Sequence, residues 1–209
     1  MLRTIAVTGL CLMSSACIAV GSREPIFSSA DAGDGPQPRP GLWASPDPDC
    51  AFDPSAPVDG WPSCANGTVV RAHVIGPPND PSHLMTYVLT SGDPRIVQMP
   101  WPAAGKKDAP KFSYVGVKPT KFDEDGRIVE ARMWIVLCGE QAPPPKSLDG
   151  GAKKTTPPDD FKPLDGLDWH KGDDFCIADS KDAVRNAAKA SEGWTGDPTT
   201  MRWIRDAEN

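Results

Sequence analysis

The sequence is poor in histidine and tyrosine, with three of one and two of the other among 209 residues. It holds no HExxH and no CxxC, so the ligand spacings of the common zinc sites are missing. The GxSxG elbow of a serine nucleophile is missing too, as is a glycine loop that could cradle phosphate. Basic residues are in deficit. Lys and Arg number 22 against 28 Asp and Glu, a net charge of -6, which speaks against a nucleic-acid partner. No apolar run reaches the ~20 residues that cross a bilayer comfortably. The best, residues 5–20, has 16 and includes Thr8, Gly9, Ser14 and Ser15. What the chain has in quantity is proline, tryptophan and cysteine. Pro and Gly make 24 plus 19, or 43 of 209 residues, below the roughly 25–30% that marks wholesale disorder. A folded domain interrupted by stiff segments is expected, with one hydrophobic core for a chain of this length.

Met1-Leu2-Arg3 followed by the 16-residue apolar run reads as a secretory leader. Small residues offer two places to cut, after Ser14-Ser15-Ala16 and after Ala19-Val20-Gly21. Residues 12–17, LMSSAC, resemble the lipobox of bacterial lipoproteins, in which a small residue precedes a cysteine that is alkylated by diacylglycerol before cleavage. The resemblance covers only about the first 20 residues, and it carries no family for the rest. It implies a signal peptide over residues 1–16, lipidation at Cys17 and a membrane partner reached through that anchor. Ile18 after the cysteine, with no aspartate there, resembles precursors sorted to the outer membrane. The implied address is the cell envelope, as an outer-membrane lipoprotein facing the periplasm or the surface. The alternative is a periplasmic or secreted protein.

Cysteine arithmetic bears on the same question. Of Cys11, Cys17, Cys50, Cys64, Cys138 and Cys176, the first leaves with the leader. If Cys17 takes a lipid, four remain, an even number in an oxidising compartment. A cut after Gly21 also leaves four, whereas a cut before an unmodified Cys17 strands one thiol. Four cysteines allow three pairings, and the sequence does not choose among them. The expectation is Cys50 with Cys64, closing a loop too rich in proline to hold itself, and Cys138 with Cys176. Residues 17–49, with Pro36, Pro38, Pro40, Pro46 and Pro48, read as a Pro/Gly-rich tether ahead of a domain at 50–209.

Beyond Cys64 the pattern turns to strands. Val70, Ala72 and Val74 alternate with Arg71 and His73, which predicts one strand through residues 68–75. Met85, Tyr87 and Leu89 alternate likewise, and Ser91-Gly92-Asp93-Pro94 supplies a turn before RIVQM. The strongest signal is a hairpin around Asp125-Gly126, whose second strand ends apolar on both faces and so should be central. Residues 141–168 read as a Pro/Lys-rich loop. Asp179 or Ser180 then caps a helix with Ala183, Val184, Ala187 and Ala188 on one stripe, and TMRWIR adds a last strand. The expected fold is α+β, mainly antiparallel β-sheet with one C-terminal helix, braced by disulfides.

Function is less legible. His73, His83 and His170 are scattered, and the acidic turn 123–126 puts Lys121 and Arg132 where a calcium loop needs anions, so no metal site is expected. No residue stands out as catalytic, and no cofactor is implied. Trp61 and Trp101, each held before a proline, are the candidate binding residues, for an envelope protein or a glycan. The first expectation is therefore a non-enzymatic binding or structural module. The alternative is a secreted or periplasmic hydrolase with a carboxylate/histidine site.

Overall fold

The computed structural model describes residues 18–101, 109–140, 161–170, 173–194 and 198–207. They form twelve strands and one α-helix. The strands are β1 Ala19–Ser22, β2 Gly41–Ala44, β3 Thr68–Val70, β4 Val74–Gly76, β5 Met85–Thr86, β6 Val88–Leu89, β7 Arg95–Pro100, β8 Phe112–Phe122, β9 Ile128–Ile135, β10 Leu167–Trp169, β11 Phe175–Ala178 and β12 Thr199–Arg205. The helix α1 is Lys181–Ser191, between β11 and β12. Pairing is antiparallel except between β1 and β11.

The pairings close into a barrel. The Tyr87 N–H bonds His73 O at 2.9 Å, and the Thr90 N–H bonds Ile96 O at 2.9 Å. In an extended strand successive N–H groups point to alternate edges, so these two bonds, three residues apart, lie on opposite edges. Residues 85–89 are thus one strand with β4 on one side and β7 on the other. The ring then runs β2, β3, β4, β5 with β6, β7, β8, β9, β12 and back to β2. Alternation fills the inside with Trp43, Val70, Tyr87, Leu89, Val97, Val115, Val117 and Ala131. Met85, Tyr87 and Leu89 share the inward face, as their spacing predicts. A residual apolar cavity of about 50 Å³ remains among Trp43, Tyr87, Met133 and Met201. Burial pushes the Tyr87 phenol up to about 12.

A second core lies outside the barrel, between its β7–β8–β9 wall and a layer made of β1, β10, β11 and α1. Ile96, Tyr114 and Val136 face outward into it and meet Ile18, Val20, Cys176, Val184 and Ala187. Ser180 caps α1, accepting a bond from the Ala183 N–H at 3.3 Å, and the stripe of Ala183, Val184, Ala187 and Ala188 is buried. The Trp134 indole donates to Ala188 O at 2.8 Å. Gly116 makes room for that ring: a side-chain carbon there would lie 2.2 Å from it. β9 is accordingly covered on both faces. The disulfides are Cys50–Cys64 and Cys138–Cys176.

Three expectations need correction. Residues 18–49 are no tether. Ile18 is 1% exposed and Val20 is 0%, and β1 sits inside the sheet between β11 and β8. Between the prolines of this stretch lie buried residues, among them Phe27 in the outer core, Trp43 inside the barrel and Leu42 on its outer wall. Gln98 clamps the chain by accepting from the Ile26 and Phe27 N–H groups at 2.8 and 2.9 Å and donating to Phe27 O at 2.9 Å. The folded unit therefore takes in the described residues from Ile18 onward, well before residue 50. The single strand expected over residues 68–75 is a tight hairpin, closed by the Arg71 N–H on Val74 O at 2.9 Å. Arg71, Ala72 and His73 are exposed at its tip, where an alternating pattern is mimicked by a turn. The loop expected over 141–168 ends early: Phe161 and Leu164 pack on the outer core, and β10 starts at Leu167. Residues 141–160 lie outside the described residues.

Candidate functional site

A cleft of about 250 Å³ lies on the outer wall of the barrel. Its floor is Leu42 of β2 and Val69 of β3, which point outward because Trp43 and Val70 point inward. Val58 forms one side, from the 3-10 turn Val58–Gly60 inside the first cystine loop. Pro77, Pro78, Pro81 and Leu84 of the β4–β5 connection form the other. Arg71, at the tip of the β3–β4 hairpin, and Arg205, at the end of β12, supply the lining charge, and Ala207 completes it.

Each wall is held from behind. In the cystine loop the Trp61 indole donates to Ala56 O at 3.1 Å, and its ring meets Phe52 edge-on at 5.0 Å. Arg205 lies 5.6 Å over the Trp61 ring, bonds Ala56 O at 2.8 Å through Nη2 and reaches Pro54 O through Nη1. Its Nε is buried without a partner. On the opposite wall Asp80 caps the turn Pro81–His83, accepting from the Ser82 N–H at 3.1 Å. Asp53 is the carboxylate that feels Arg205. Its carboxyl is held below its ordinary value mainly by the Ser55 hydroxyl and N–H, with Arg205 contributing least.

Asp80, Ser82 and His83 do resemble the parts of a hydrolytic triad. The geometry denies the role. Ser82 Oγ donates to Asp80 Oδ1 at 2.5 Å and stands 3.3 Å from His83 Nδ1, the same nitrogen that meets Asp80 Oδ2 at 2.6 Å. A base that takes a proton from serine at one nitrogen needs its carboxylate on the other. His73, His83 and His170 are all exposed, and among the described residues no three His, Cys, Asp or Glu gather as a metal-binding group. In the acidic hairpin turn the Asp123 carboxylate is occupied by the N–H groups of Asp125 and Arg127, at 3.1 and 2.8 Å.

Of the residues singled out from sequence, Cys17 lies outside the described residues. Trp61 is half-buried and braces the cystine loop, one residue behind the cleft through Arg205. Trp101 is half-buried at the end of β7, where its N–H bonds Lys111 O at 2.7 Å, and the structure does not bring it to Trp61. Arg71 and Arg205 gave no signal in sequence. One stood on what looked like a strand's solvent face, the other in a terminal strand, and only the closed ring makes them neighbours. No family model, curated protein or solved structure matches the chain.

Proposed function

We propose that the chain is an exported cell-envelope lipoprotein, anchored through Cys17, whose barrel is a non-enzymatic binding module. The observation that carries the anchor is the position of β1. It begins at Ala19, two residues after Cys17, and is an inner strand. A cut after Gly21 would remove Ile18 and Val20 from the outer core, so the cut before Cys17 is favoured. Cys50, Cys64, Cys138 and Cys176 then occupy one another, leaving Cys17 as the odd sulfur that acylation accounts for. An uncleaved anchor fits less well. With Ile18 in the fold only residues 5–17 remain, and thirteen residues of helix span ~20 Å against a hydrocarbon core of ~30 Å. The two disulfides support an oxidising compartment. Among the described residues no helix is long and apolar enough to cross a membrane.

The binding half of the proposal rests on the cleft, a hollow between two braced loops on the barrel wall. The hydrolase reading has no comparable support, since its best serine, histidine and aspartate serve as a turn cap. Intact mass of the membrane-extracted protein tests the anchor. A chain beginning at Cys17 with added acyl groups is expected, and Cys17→Ala should move the domain to the soluble fraction. A mature chain that starts beyond Ile18, or carries no acyl group, would sink the proposal.

A further inference from the structure

We infer that the cleft between the cystine loop and the β4–β5 connection binds a small carboxylate carried on an aliphatic body. This deepens the binding-module reading and rests on it, but it is independent of the lipid anchor. Three observations lead there. The first is charge. In a protein with 28 acids against 22 Lys and Arg, the cleft is lined, among the described residues, by two arginines and no acid, so its field favours an anion on an otherwise anion-repelling surface.

The second is how the two cations are held. Arg205 is fixed by the Pro54 and Ala56 carbonyls and by the Trp61 face, which makes it a stationary charge. Arg71 is exposed, and while its N–H and carbonyl bond Val74 O and the Tyr87 hydroxyl, its guanidinium makes no hydrogen bond or ion pair among the described residues. Its guanidinium fork is thus available to a carboxylate, whose two oxygens it matches in geometry. The third is the wall. Pro77, Pro78 and Pro81 offer no N–H donors and little freedom to lose on binding, and Leu42, Val69 and Leu84 add an aliphatic surface. About 250 Å³ lies just under the ~300–1,000 Å³ of sites for drug-sized molecules, so the aliphatic body is short.

Two sources carry this chemistry, the terminal carboxylate of a peptide ending in an aliphatic residue and a short fatty acid. Titration calorimetry on the full chain carrying Cys17→Ala separates them, with N-acetyl-leucine and octanoate as probes. N-acetyl-leucinamide and inorganic phosphate serve as controls. Binding of either carboxylate is expected, and the tighter of the two names the source. Arg71→Gln should weaken it about fivefold, the scale of one exposed charge pair, and raised salt should weaken it further. Arg71 is the residue to change because Arg205 also holds the cystine loop. Equal binding of the neutral amide would overturn the charge argument, and equal binding of phosphate would overturn the aliphatic one. No binding of either carboxylate would remove the ligand class outright while leaving an acylated Cys17 intact.

Discussion

Arg95 carries its charge to a position 5% exposed, at the foot of β7 on the inward-facing side. It makes no ion pair among the described residues. Its Nε donates to Thr90 O at 2.8 Å, Nη1 to Pro36 O, and Nη2 has no partner. Burial accordingly pushes its pKa down. What the residue achieves is mechanical. One planar fork ties the turn before β7 to the N-terminal segment at Pro36. An ammonium has the charge without the fork, so Arg95→Lys should leave a buried carbonyl short of its donor. The expected loss is about 1–3 kcal/mol, read from the urea midpoint, with faster amide exchange around residues 36–39. Unchanged stability would mean that the carbonyls find other donors. Nothing near Arg95 in sequence marks it as inward, because its acceptors lie 5 and 59 positions away. Distance along the chain likewise hid Arg205, whose acceptors lie 151 and 149 positions away. The cystine pairs were easier, since a covalent bond between sulfurs needs only parity and loop length to be guessed.

Among the elements, those with a full period to display were readable. Residues 85–89 alternate, α1 shows a two-turn stripe, and the β8–β9 hairpin carries Gly126 at φ 75°, where a glycine is favoured. β1 was hidden for a physical reason. It is only four residues long, Ala19–Ser22, and it follows an apolar run of similar composition, so no change in pattern marks where the strand begins. Yet the outer core needs it. Burying Ile18 and Val20 contributes about 1.5–3 kcal/mol each. The Val20 N–H on Val136 O and the Cys138 N–H on Ile18 O, at 2.8 and 2.9 Å, would also be lost without it. Set against a typical domain stability of ~5–15 kcal/mol, that is a large share. A chain beginning at Ser22 should therefore show a far lower thermal midpoint than one beginning at Ile18, with α1 and β11 exchanging freely. Equal midpoints would show that β1 is dispensable and would reopen the later cleavage site.

On the scale of the whole molecule, two cores share one wall, and each cystine serves a different part. Cys138–Cys176 ties the chain leaving β9 to β11 across the outer core, whereas Cys50–Cys64 closes a loop on the barrel's outside, held there by Arg205 on the Pro54 and Ala56 carbonyls and by the Asp47 N–H on Cys64 O. Chain entropy gives them similar weight. The closed segments of 14 and 38 residues correspond to about 3 and 4 kcal/mol. Position should separate what the bonds protect. The Cys50→Ala, Cys64→Ala pair should lower the denaturation midpoint yet confine faster amide exchange to residues 50–67, loosening Val58 and the carbonyls that fix Arg205. The Cys138→Ala, Cys176→Ala pair should spread exchange through β1, β11 and α1 while the barrel interior stays protected. Carboxylate binding divides the same way: the first variant should lose it with the barrel intact, and the second should keep it as long as the ring is closed. If both variants unfold as one unit, the barrel and its outer layer are a single cooperative body, and the cleft cannot be loosened without the whole.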